Sequence, residues 1–342
     1  MGTTVKTIGA SGADYTTLQS WEDAAPANLV TDGNIWQGQI KDATDAFSGA
    51  GTQLTIAGST VDATHYKELT TAAGASFRDN ASIQTNALRF NSSNGCSITG
   101  TGGYCLVINI TEDYVHLSNL QVAGPNGPST AIYFADASSD NVVDFCIAES
   151  VANGHGDFGL APIRLATNTK ARNCLMVSRF SGTAGFLLFM TGGGIEVTNC
   201  TIVKPSNLTA SSNAVRWNYA SSGSMKNCAI FGASNAFSGT AGTVTTCYTD
   251  DATPPTGCTT VSYDTSTGSG FENITDATRD YRIKSGSALI DVGTTDSTNA
   301  ANDIAKTARP SGSSYDVGCW EFVSGATPAA QPNYQTLLGV GA

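Results

Sequence analysis

Three phrases, Asn173-Cys174-Leu175-Met176, Asn199-Cys200-Thr201-Ile202 and Asn227-Cys228-Ala229-Ile230, repeat one pattern, with Phe145-Cys146-Ile147-Ala148 before them and Thr246-Cys247-Tyr248 after. Leu120, in Asn119-Leu120-Gln121-Val122, fills the same slot, which then recurs at steps of 26, 28, 26, 28 and 19 residues. A period of this size marks a solenoid, in which each repeat packs only on its neighbours. Second phrases precede the first: Leu106-Val107-Ile108-Asn109, Ile132-Tyr133-Phe134, a shortened Ile163-Arg164-Leu165, Phe186-Leu187-Leu188-Phe189 and Ala214-Val215-Arg216-Trp217. Each repeat therefore carries at least two short strands between turns rich in Gly, Ser, Asn and Asp. Leucine-rich repeats need a regular Leu spacing and helical repeats need long runs of helix formers, and the chain has neither. A parallel β-helix remains.

That architecture accounts for the composition. Only 13% of the residues are charged, against about 25% in an average soluble domain. When coils stack at about 4.8 Å, a charge repeated at one slot faces its own kind above and below, which destabilises the pairing. Leu120, Cys146, Cys174, Cys200 and Cys228 are expected to form one inward file. Val122, Ala148, Met176, Ile202 and Ile230, two residues on, form a second, by the period-2 alternation of a strand. Asn119, Asn173, Asn199 and Asn227 suit a turn with left-handed backbone. The nine cysteines are odd in number, widely spaced and without a C-x-x-C pair, so they read as buried unpaired thiols.

The net charge of −11 gives no reason to seek nucleic-acid phosphates or an anionic bilayer. No apolar run approaches the ~20 residues of a membrane span, and Met1-Gly2-Thr3-Thr4-Val5-Lys6 lacks the apolar core of a signal peptide. We expect a capping segment at 1–48, coils at 49–264, last coils with a closing module at 265–322 and an extended tail at 323–342. The coils would number about eight at ~26 residues each, a rod about 40 Å long. Thr16 and Gln19 stand at capping-box spacing, with Leu18 and Trp21 on one side of a short helix.

From Asp280-Tyr281-Arg282-Ile283 through Tyr315-Asp316-Val317-Gly318-Cys319-Trp320-Glu321 the chain resembles the closing module of right-handed parallel β-helix repeat proteins of the pectate-lyase-like superfamily. The opening Lys6-Thr7-Ile8-Gly9-Ala10-Ser11-Gly12-Ala13-Asp14-Tyr15-Thr16-Thr17-Leu18 is similar to the start of β-helix proteins carried by tailed bacteriophages. The resemblance implies an all-β, right-handed, single-stranded β-helix, and either a virion structural protein or a polysaccharide lyase or hydrolase. Gly154-His155-Gly156, Arg282-Ile283-Lys284 and Asp250-Asp251 match fragments of the polygalacturonase branch, but Asp250 follows His155 by 95 residues, in the wrong order. Nearly five coils separate His155 from Arg282, over 20 Å at ~4.8 Å per coil. Asp136, Asp140 and Asp144 are spaced like turn carboxylates rather than calcium ligands. His65, His116 and His155 show no metal spacing, and no cofactor is implied.

Two sets of residues are candidate contacts. If Ile163, Leu165, Val215 and Trp217 point inward, then Arg164 and Arg216 point outward with Tyr133 on the same wall, a surface for a glycan or a protein. After a Pro-rich stretch, the uncharged end carries Tyr334, Leu337, Leu338 and Val340. These are expected to insert into a groove, or add a strand, on a neighbouring subunit or capsid protein; the alternative is that the tail lies along its own solenoid. The expected function is a non-catalytic virion protein made in the host cytoplasm, a head decoration (cement) protein or spike component. It would be a trimer contacting a major capsid protein. The alternative is an enzyme cleaving a host-surface or acidic glycan, against which the net charge of the chain speaks.

Overall fold

The computed structural model describes residues 2–102, 105–124, 129–150, 161–180, 185–209, 211–218, 222–239, 242–296 and 301–324. The chain winds into a right-handed parallel β-helix with three sheets of nine, seven and nine strands. The first sheet runs through Gly2–Ile8, Asn34–Ile40, Lys67–Thr71, His116–Ser118, Val142–Asp144, Lys170–Arg172, Glu196–Thr198, Ser224–Lys226 and Thr243–Thr245. The second runs from Leu54–Ile56 through Cys105–Ile110, Ser129–Phe134, Ile163–Leu165, Leu188–Met190 and Ser211–Trp217 to Ala233–Gly239. The third runs from Ala46–Ala50 to Cys258–Thr260 and includes Ile147–Ser150, Leu175–Ser178, Thr201–Val203 and Ala229–Phe231. Segment 1–48 thus supplies the first strands as well as a helix.

Both expected inward files are present and fully buried. The cysteine file continues through Cys247, and no cysteine of the described chain is in a disulfide. Its thiols donate to backbone carbonyls, as from Cys174 to Arg172 at 3.1 Å and from Cys228 to Lys226 at 3.3 Å. Asn119, Asn173, Asn199 and Asn227 all have φ between 51° and 62°, because the corner from the first sheet to the third turns through the left-handed region that Asn tolerates. Their amides link the rungs where two stack: Asn227 Nδ2 donates to Asn199 Oδ1 at 3.0 Å.

Helix Leu18–Asp23 covers the bore at one end, burying Leu18 and Trp21. Its capping box lies one residue later than the sequence suggested: Thr17 is the N-cap and Ser20 its partner. Gln19 instead donates to Asp23 at 2.9 Å. Gly38 lets the Trp21 ring approach, since a Cβ there would lie 2.6 Å from it. Beneath the helix, Lys67 Nζ lies 2.7 Å from Glu22 and 2.9 Å from Glu112, all three buried.

The module at 265–322 packs along the outer face of the third sheet. Its Phe271, Tyr281, Leu289, Val317 and Trp320 meet Ile147, Leu175, Val203 and Phe231 in a second core. Cys319 N–H donates to Thr201 Oγ1 at 3.1 Å, and Arg309 pairs with Glu321 at 2.7 Å in full burial. Among the described residues, no helix is long and apolar enough to cross a membrane.

Candidate functional site

The first sheet presents two outward files of side chains. In one, Gln37, Glu68, His116, Val142, Lys170 and Glu196 lie in register from rung to rung; in the other, Ser118, Asp144, Arg172, Thr198 and Lys226 do. Near the middle of this face the side chains enclose a depression of about 280 Å³ lined by Glu68, Arg78, His116, Asn119, Asp144, Phe145 and Arg172. A second hollow of about 240 Å³ adjoins it, shares Arg78 and Asn119, and reaches Lys306.

Asp144 is the centre of this site. Its carboxylate lies 3.1 Å from the Arg172 guanidinium and accepts from Asn173 Nδ2 at 3.3 Å. The side chain is only 15% exposed, and burial pushes its pKa up to about 6 against the pull of Arg172 and Arg78. Desolvation outweighs attraction here because few water molecules can reach the charged form. His116, its ring centroid 4.0 Å from that of Tyr66 and tilted 35° to it, moves the other way: burial, with Arg172 second, lowers its pKa to about 4. At neutral pH the site therefore offers a neutral imidazole and a carboxyl poised to exchange a proton.

Phe145 occupies the corner position that Asn holds in the neighbouring rungs, with φ 52°. A bulky side chain is strained in that region. The ring is held there by Arg78, whose guanidinium lies 3.8 Å from its centroid. Arg78 is fixed in turn by Asn119 Oδ1 at 2.6 Å and by the carbonyls of Asp303 and Ile304. The side module thus positions one wall of the depression.

The spacing of Asp144 suggests a solvated turn carboxylate; the structure instead makes it the last residue of strand Val142–Asp144, largely buried and directly before the corner at Phe145. Asp136 is the exposed one of the three, 69% accessible and paired with Arg164 at 2.5 Å. The signal for Asp144 was its place directly before the corner residue, which makes it the last outward residue of a strand.

Other sequence candidates are placed as follows. Tyr133, Arg164, Phe189 and Arg216 form one register column on the second sheet. Arg164 lies 4.4 Å from the Tyr133 ring, and Arg216 5.3 Å from Phe186. Arg164 is not an open contact: it is 6% exposed and donates to Phe134 O at 3.0 Å as well as to Asp136. Asp250 accepts from Gly232 N–H, Asp251 from Ala236 N–H, and Arg282 pairs with Asp280. These three residues are spent on the scaffold. His155 and the tail residues Tyr334, Leu337, Leu338 and Val340 lie outside the described residues. Among the described residues no three His, Cys, Asp or Glu side chains are grouped so as to hold a metal ion.

No family model matches the sequence, and no curated protein matches it. Among solved structures, the chain is similar to a pectin methylesterase from Aspergillus niger at 14% identity, covering 89% of this chain and 96% of that one with a TM-score of 0.43. Pectin methylesterase PemA from Erwinia chrysanthemi is 12% identical over 75% of this chain and 92% of that one, TM-score 0.41. Pectate lyase Pel9A is 12% identical over 93% and 97%, TM-score 0.42.

Proposed function

We propose that the protein acts on an acidic polysaccharide laid along the outer face of its first sheet. The observation that carries this reading is the Asp144–Arg172 pair: a carboxyl with its pKa near 6 beside a guanidinium, inside a depression. A guanidinium receives a sugar carboxylate in bidentate fashion. A carboxyl that titrates near the working pH is matched to general acid or base work. Together they suit β-elimination beside a uronate carboxylate: Asp144 takes the proton from the carbon next to the carboxylate and Arg172 neutralises the developing charge. The electron pair becomes the ring double bond, and the glycosidic oxygen leaves with a proton from water. Hydrolysis would call for a pair of carboxyls flanking the glycosidic bond. The net charge of the whole chain is a poor guide to this face, where Arg78, Lys170, Arg172, Lys226 and Lys306 stand among Glu68, Asp79, Asp144 and Glu196, so that the local charge is close to balanced. Incubation with a panel of bacterial and plant polyuronates tests the reading through the absorbance of unsaturated uronates. Product formed by the wild type and lost in Asp144→Asn supports it; no product from any member sinks it.

A second reading, a virion structural component made in the host cytoplasm and assembled as a trimer, is favoured by one observation. The fragments that resemble glycosidase signatures, Asp250, Asp251 and Arg282, serve backbone and ion-pair contacts of the fold. In that reading the tail, with Tyr133 and Arg216 of the second-sheet column, meets a capsid protein or a glycan, while Arg164 serves the wall itself. Electron microscopy of assembled particles carrying the chain would establish it; particles lacking it would remove it.

A further inference from the structure

The corner that leads out of the first sheet is built alike on successive rungs. Asn119, Phe145, Asn173, Asn199, Asn227 and Thr246 all take φ between 51° and 62°. The backbone bonds match too: Phe145 N–H donates to Arg172 O, Asn173 N–H to Thr198 O and Asn199 N–H to Lys226 O, each at 3.0 Å. Such a corner asks of its side chain only that it tolerate the left-handed region, which Asn does and Phe does not. Where Asn stands, its amide also binds the wall, as from Asn119 to Thr70 Oγ1 at 3.1 Å and from Asn227 to Asn199 at 3.0 Å. Phe145 forgoes that bond and takes the strain as well. A residue that breaks the local rule without serving the scaffold points to a use outside it.

The surroundings of the ring say what that use is. Phe145 is half-buried and lines the depression that holds Asp144, Arg172 and His116. Arg78 backs the ring, its guanidinium 3.8 Å from the centroid. That guanidinium is spent: Arg78 is 8% exposed and donates to Asn119 Oδ1, Ile304 O and Asp303 O. The depression therefore sets an apolar ring beside the guanidinium of Arg172. A ligand that matches both has an apolar face next to an anionic group. The pyranose ring of a uronate has both, in its C–H face and its carboxylate.

We infer that Phe145 is a sugar-binding residue, held in its strained corner at a cost in stability because its ring is the platform on which a uronate ring stacks while the carboxylate of that sugar meets Arg172. The inference rests on the proposed action on an acidic polysaccharide and assigns one sugar of that chain its place. Calorimetry with the tetramers of galacturonate, mannuronate and guluronate tests it on the full chain carrying Asp144→Asn, so that sugar is bound and not cleaved. Phe145→Tyr, Phe145→Leu and Phe145→Asn are then added one at a time. The parent and the Tyr variant should bind the same tetramer within about threefold, and the Leu and Asn variants at least about tenfold more weakly. The Asn variant should melt no lower than the parent. Affinity unchanged in the Leu or the Asn variant would overturn the inference, and so would a lower melting temperature of the Asn variant, because the ring would then serve the fold. A parent that binds no tetramer removes the polysaccharide reading together with this inference, whereas binding indifferent to Phe145 removes this inference alone.

Discussion

The Arg172 guanidinium sits 3.1 Å from the Asp144 carboxylate, one rung away on the first sheet, and yet the carboxyl titrates near pH 6. An ion pair that leaves its acid with a raised pKa is held together in a place where charge itself is costly. The pair consequently contributes little net stability to the wall.

Removing the cation should raise the acid further. In Arg172→Ala the Asp144 carboxyl loses the attraction that favours its charged form, so its pKa moves above 6. Carboxyl-carbon NMR titration of the two proteins measures the shift; an unchanged or lowered value would show that Arg172 does not act on Asp144.

Stability should be greatest in mild acid. Asp144 and Asp250 both hold their protons up to about pH 6 in the folded chain against an ordinary value of 3.8. Between those values the native state binds more protons than the unfolded state, so stability falls as pH rises and the loss is complete above about pH 6. Each carboxyl contributes on the order of 3 kcal/mol at most. Asp79 and Asp276 are held low by Lys306 and Arg179, and their contribution disappears as pH drops below 4. His116, kept neutral down to about pH 4, costs stability as pH falls through this window. Asp303 and Asp316, raised to about 6 and about 7, side with Asp144 and Asp250, so melting temperature should peak at roughly pH 4–5. A steady rise from pH 5 to 8 would contradict this.

The asparagine corner should be costly to remove. Asn227 is fully buried, takes φ 53°, donates to Asn199 and Thr294 and accepts from Thr294 N–H at 2.9 Å. Asn227→Ala forces a Cβ residue without a partner into left-handed backbone and strands a buried donor, a loss of about 2–4 kcal/mol. Asn227→Gly should recover about 1 kcal/mol of that by relieving the backbone. Denaturant unfolding of the three proteins checks the order.

The thiol file should be silent until the fold opens. Cys146, Cys174, Cys200 and Cys228 are completely buried and donate to carbonyls of the rungs. A thiol reagent should find at most Cys258 in the native protein and all nine cysteines in denaturant without reductant.

How legible this was follows from which signals repeat. The cysteine file and the Asn corner recur rung after rung, so period alone located them. Phe145 and Asp144 break the repeat, and a residue that occurs once has no period to betray it. The docking of the side module against the third sheet was present in a different signal. Leu175-Met176-Val177, Ile202-Val203 and Ala229-Ile230-Phe231 are apolar on successive positions, as a strand buried on both faces requires. Read as one inward file, they left the outward residues unexplained.

The central claim rests on Asp144 as a titrating group that acts on a bound sugar. Its most direct test is the pH dependence of kcat/KM on a polyuronate for wild type, Arg172→Ala and Asp144→Asn. We predict a limb near pH 6 in the wild type, displaced upward in Arg172→Ala, and a fall of roughly 10²–10⁴-fold in Asp144→Asn with melting temperature preserved. Turnover by Asp144→Asn equal to wild type, with the limb still in place, would contradict the account.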